Sequence, residues 1–168
     1  MINFTSKKTK NTLFLSIFAS FLLIIGIFSM SACNKTEACK LTANYTKDTN
    51  AAQRIAMVAY CTANSINYTI DSSGVLYQIV TPGASTKVNL CESLSITYTG
   101  KLLTGTQFDA GTFTASLSQL VTGWQIVVPK IGKGGHLKIL IPSSLAYGSQ
   151  ANGSIPANSP LFFDIILN

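Results

Sequence analysis

Residues 141–160, IPSSLAYGSQANGSIPANSP, place one aromatic side chain, Tyr147, among serine, alanine, glycine, asparagine and proline, with no charge in the whole stretch. The apolar runs LKILI (137–141) and LFFDIIL (161–167) bound it, so it reads as a loop between two strands. A phenol there is a hydrogen-bond donor that stays neutral at physiological pH. Residues suited to other chemistry are scarce. His136 is the only histidine, and no C-x-x-C or Cys/His ligand spacing occurs, so no protein zinc site is expected. Serine and aspartate are present, but there is no G-x-S-x-G elbow and His136 opens a predicted strand, which argues against a hydrolase triad. GKGGH (132–136) lacks the G-x-x-x-x-G-K-[ST] spacing of a phosphate loop and reads as a turn into that strand. No cofactor is expected.

The elements that must position these residues are mostly strands. Turn signals at DSSG (71–74) and PGAST (82–86) bound VLYQIVT (75–81). SLSITYTG (93–100) alternates Leu94, Ile96 and Tyr98 on one face. A turn follows at Thr104-Gly105, then a short strand within TFTASLSQLV (112–121). TGWQIVVPK (122–130) reads as one short helix stopped near Pro129. GHLKILIP (135–142) and PLFFDIILN (160–168) are strongly apolar strands. About five strands and a central helix predict an α+β domain with an antiparallel sheet over 74–168. Ahead of it, residues 48–73 hold a helix, capped near Asp48, Thr49 or Asn50, with Ala51, Ile55, Val58, Ala59 and Ala63 as its apolar recurrence.

The N-terminus reads as a targeting segment. Lys7, Lys8 and Lys10 precede the uncharged run LFLSIFASFLLIIGIF (13–28), and small residues follow. MSAC (30–33) resembles a bacterial lipobox with Met30 where leucine is usual. That resemblance implies cleavage after residue 32 and lipidation of Cys33, with 33–47 as a polar tether to a membrane. Asn34 after the lipidated cysteine favours an outer membrane, so the expected location is the periplasmic side of the cell envelope. Nine basic and six acidic residues then leave +3 on the mature chain, against +6 for the whole sequence. The basic residues run from Lys35 to Lys138 without a cluster, so no nucleic-acid partner is expected. Outside the cytoplasm a cysteine pair can oxidise. Cys39, Cys61 and Cys91 allow three single-bridge pairings; Cys39–Cys91 is favoured among them, because both sit in loop-like segments, with Cys61 buried on the helix.

An ordered series of short segments resembles the FKBP-type peptidyl-prolyl cis-trans isomerases. They are YTG (98–100), FD (108–109), LVTGW (120–124), GKGGHLKILIP (132–142), LAYG (145–148), IP (155–156) and FFDIIL (162–167). The resemblance implies a twisted antiparallel half-barrel sheet wrapped around one short helix, with an apolar pocket between them. It implies Trp124 as pocket floor and Tyr98, Phe108, Phe163 and Phe113 as aromatic walls. Leu120 and Val121 stand just before the helix, Tyr147 and Ile155 on the loop over the pocket, and Asp109 is the pocket carboxylate. It also implies proline-containing peptides and exported proteins as substrates, and macrolide immunosuppressant-type molecules as inhibitors. The chemistry suits these residues, since rotating an X–Pro amide needs no nucleophile and no bond is broken. The alternative on the same fold is a non-catalytic peptide- or protein-binding lipoprotein.

Overall fold

In the computed structural model, Tyr45 and residues 47–168 are described. The targeting segment, Cys33, Cys39 and most of the tether lie outside them. The described chain forms helix α1 (Ala51–Ala63), strands β1 (Thr69–Ile70), β2 (Leu76–Thr81), β3 (Ser93–Leu102) and β4 (Gln107–Ser116), helix α2 (Thr122–Val127), and strands β5 (His136–Ile141) and β6 (Leu161–Leu167). The six strands make one antiparallel sheet in the order β1-β2-β5-β6-β3-β4. This is the expected α+β architecture. β1 is an added edge strand too short to leave an alternating pattern.

Period-two alternation divides the sheet into two faces. On one face Ile96, Leu137, Ile139, Phe163 and Ile165 pack with Trp124 and Val127 of α2 in the main core. On the other, Leu76, Leu140 and Phe162 pack with Met57 and Cys61 of α1. β5 and β6 are thus covered on both sides near their shared centre, and read in sequence as almost unbroken apolar runs. Gly123 lets α2 lie directly on β5: a Cβ there would come within 2.4 Å of the Ile141 side chain.

Three expectations change in detail. β4 begins at Gln107, straight after the turn, and runs to Ser116. The sequence signal is weak because Asp109, Ala110 and Gly111 favour strands little. Pairing along the length of β3, from Ser93↔Ser116 to Lys101↔Gln107, overrides that preference. Within 112–121 the strand ends at Ser116, and Leu117–Gln119 form a 3-10 turn. On α1, Met57 and Cys61 are the buried residues, and Ile55 is 70% exposed. The helix carries apolar or small residues nearly all round, so spacing alone does not choose the docking face. The stacking of Tyr60 on Phe162, 5.2 Å between centroids, marks the face that docks.

GKGGH is a turn, as expected. Gly132 N–H donates to Pro82 O (2.9 Å) and Ala84 N–H to Lys133 O (2.8 Å), and a Cβ on Gly132 would lie 2.2 Å from Ala84 O. The glycines permit a backbone crossing.

Candidate active site

The site forms where β3, β4, β6, the start of α2 and the β5–β6 loop meet. Tyr98 projects from the inner face of β3, opposite Gly111 on one side and Ile165 on the other. β4 carries a bulge: Gly100 pairs with Asp109 and Lys101 with Gln107, leaving Phe108 as an extra residue. A regular strand sends neighbouring side chains to opposite faces. The bulge re-aims them, and Phe108 and Asp109 line the same cavity. Gly100 makes room for this, since a Cβ there would lie 2.6 Å from Phe108 Cζ and 3.0 Å from Phe163 Cε1.

The cavity has a volume of about 260 Å³ and is lined by Tyr98, Phe108, Asp109, Phe113, Gln119, Leu120, Val121, Trp124, Tyr147 and Phe163. Trp124, in the first turn of α2, is only 3% exposed. Phe163 meets it edge-on at 5.2 Å and Tyr98 edge-on at 5.7 Å. Phe113 stands edge-on to Tyr98 at 5.3 Å, and Phe108 edge-on to Phe163 at 5.6 Å. Edge-to-face packing of this kind brings the positive ring edge to the negative ring face and fixes each ring by its neighbours. The Trp124 Nε1 is buried with no hydrogen-bond partner among the described residues.

The polar groups divide into engaged and free. Tyr98 donates its hydroxyl to Asp109 Oδ2, and Ala110 N–H donates to Oδ1 (2.9 Å). Burial, then the hydrogen bond to Asp109 and its charge, push the Tyr98 hydroxyl up to about 12. Tyr147 is 39% exposed, and burial followed by the Asp109 carboxylate raises its hydroxyl above the ordinary tyrosine value. Among the described residues that hydroxyl has no hydrogen-bond partner, and neither does the Val121 N–H. Gln125 Nε2 donates to Leu120 O (2.7 Å), tying the segment before α2 to the helix.

Of the residues singled out in the sequence, the fold brings Tyr98, Phe108, Asp109, Phe113, Leu120, Val121, Trp124, Tyr147 and Phe163 to one cavity. Ile155 does not line it. It is 6% exposed and packs in the main core, held by reciprocal bonds with Asn152 (both 2.9 Å). From its place on the loop, its side chain anchors that loop in the core. Gln119 lines the cavity and was missed; its place directly before Leu120 was the available signal.

The chain is similar to proteins of known family and structure. The profile of the FKBP-type peptidyl-prolyl cis-trans isomerases matches residues 84–168. The FKBP-type peptidyl-prolyl cis-trans isomerase FkpA of Aeromonas hydrophila is 36% identical over 115 residues, covering 64% of this chain and 43% of its own length. Its counterpart in Escherichia coli K12 is 34% identical over 102 residues, covering 57% and 37%. The chain thus spans about two fifths of the length of the curated relatives it matches. The crystal structure of FkpA from Escherichia coli aligns with a TM-score of 0.62 at 25% identity, over 95% of this chain and 72% of that one. A peptidyl-prolyl cis-trans isomerase from Pseudomonas syringae aligns with a TM-score of 0.60 at 25% identity, over 74% and 96%.

Proposed function

The chain belongs to the FKBP-type peptidyl-prolyl cis-trans isomerase family, and from that premise we propose that it catalyses rotation about X–Pro bonds in exported proteins. The observation that carries this is the cavity itself: an aromatic-walled space over a buried indole, with two free donors on its lining. Amide rotation has a barrier of ~18–20 kcal/mol, arising from C–N double-bond character. The cis and trans states differ by only ~0.5–1 kcal/mol. The twisted amide has less charge separation than the planar one, so removing water from it favours the transition state over the ground state.

In this reading Trp124 seats the prolyl ring. Tyr98, Phe108, Phe113, Phe163, Leu120 and Val121 exclude water. The Tyr147 hydroxyl and the Val121 N–H donate to substrate carbonyls. Asp109 holds Tyr98, whose hydroxyl is already engaged and so is not offered to substrate. No residue is asked to move a proton. The test is cis-to-trans exchange of a proline-containing peptide by the full chain in detergent, with and without a macrolide of the type that occupies such pockets. Acceleration that the macrolide suppresses and Trp124→Leu abolishes supports the reading. Binding with a change in Trp124 fluorescence but no acceleration would make the chain a binding module instead.

We further propose that the protein is held at a membrane of the cell envelope through lipidated Cys33. The sequence around MSAC supports this. Each buried acyl CH₂ adds ~0.8 kcal/mol to membrane binding. Metabolic labelling with a fatty acid tests it, with a Cys33→Ser chain expected to lose the label and leave the membrane fraction.

A further inference from the structure

We infer that Gln53, on α1, is a positioning residue for Tyr147: its side-chain amide ties together the two arms of the loop that carries this tyrosine. The inference deepens the isomerase reading above, and rests on it for its kinetic arm only. The loop leaves β5 at Pro142 and rejoins the sheet at Leu161. Two main-chain bonds run through its base, from Gly148 N–H to Ser143 O (2.8 Å) and from Asn158 N–H to Gly148 O (2.9 Å). Tyr147 directly precedes Gly148, so these bonds set where its ring stands.

Gln53 joins Ser143 to Asn158. Its Nε2 donates to Ser143 Oγ (2.8 Å) and to Asn158 O (3.1 Å), and its Oε1 accepts from Ser143 N–H (2.9 Å). A closed ring of hydrogen bonds results, passing through Gln53, Ser143, Gly148 and Asn158. Asn158 sits at φ +59°, a left-handed conformation that asparagine tolerates. Ser143 is 6% exposed, so without Gln53 its N–H would be buried with no acceptor.

Gln53 is itself held in place. Its N–H donates to Oδ1 of the α1 N-cap Asn50 (3.1 Å), and α1 is fixed to the sheet by Met57 and Cys61. Close by, Ser144 Oγ donates to Asp48 Oδ1 (3.1 Å). The loop needs such support. Most of residues 149–158 are exposed and small, and Leu145 and Ile155 are the buried loop residues in the core, with Ala146 packed beside them. A donor on an untethered loop loses the pre-organisation that orienting a substrate carbonyl requires.

Gln53→Met keeps the side-chain length and removes all three side-chain bonds. In the full chain we expect amide hydrogen exchange at Gly148 and Asn158 to rise about tenfold, with the β5–β6 ladder unchanged. For a proline-containing peptide, kcat is expected to fall by up to about fivefold with little change in KM, because the prolyl cavity is intact. In a Tyr147→Phe background the same substitution should cause no further loss. Gln53→Glu keeps the acceptor for Ser143 N–H and loses the donor to Asn158 O, so it should fall between the two. Unchanged exchange in Gln53→Met overturns the inference, as do equal kinetic losses in the wild-type and Tyr147→Phe backgrounds. If the wild-type chain accelerates no isomerisation, the isomerase reading fails, and the exchange measurements still decide whether Gln53 holds the loop.

Discussion

Tyr98 and Tyr147 are both phenols on one cavity, and their different bonding gives them different expected roles. Tyr98 is engaged with Asp109, while Tyr147 has no partner among the described residues. Tyr147→Phe should therefore lower kcat/KM about fivefold, the order of one net hydrogen bond, and leave the thermal midpoint unchanged. Unchanged kinetics would mean that the ring acts by packing alone. Tyr98 bears on stability. Burial and Asp109 push its hydroxyl up to about 12, so the folded chain keeps this proton to higher pH than the unfolded chain, where the ordinary value is 10.0. The resulting stabilisation is full below the unfolded value and is lost as pH rises through the folded one. Denaturant midpoints of the wild type should fall across this alkaline window, and more steeply than those of Tyr98→Phe.

Elements place these residues through backbone features with little side-chain signature. The β4 bulge turns Phe108 and Asp109 to one side, and Gly100 of β3 leaves space for Phe108. Gly100→Ala should displace one of the two facing rings, at a cost of about 1–3 kcal/mol in stability and a clear loss of isomerase activity. Wild-type values for both in a denaturation and turnover series would show that the rings need no such clearance. α1 covers the outer face of β5 and β6, with Cys61 fully buried and its thiol pushed up to about 11 by that burial. Cys61 should therefore resist alkylation in the folded chain and react on unfolding, as read by peptide mass mapping. The α2, β5 and β6 segments were legible in the sequence, because each is apolar where it is buried. The docking face of α1 was not. Several of its faces are apolar or small, and Phe162, which selects one of them, lies about a hundred residues away in the chain.

Among the described residues, one sheet separates two packed layers, α2 with the cavity on one face and α1 on the other. Gln53 bridges from the α1 layer to the loop over the cavity. Cys91 is disulfide-bonded and Cys61 is free; Cys39, the expected partner of Cys91, lies outside the described residues. Non-reducing peptide mapping is expected to link Cys91 to Cys39 and leave Cys33 for lipid, whereas a Cys33–Cys91 link would count against the lipid anchor. Alone, the sequence determined the fold class and the central helix through burial patterns local in the chain, and it pointed to nine residues of the cavity wall only through the family resemblance that its short ordered motifs carry. Only the tertiary structure decided that Ile155 anchors the loop in the core, that Asp109 is engaged by Tyr98, and that Gln53 reaches Ser143 and Asn158. Those depend on a bulge, a helix docking face and contacts between residues far apart in the chain. Such contacts form where folded surfaces meet, and they leave no period or spacing to read beforehand.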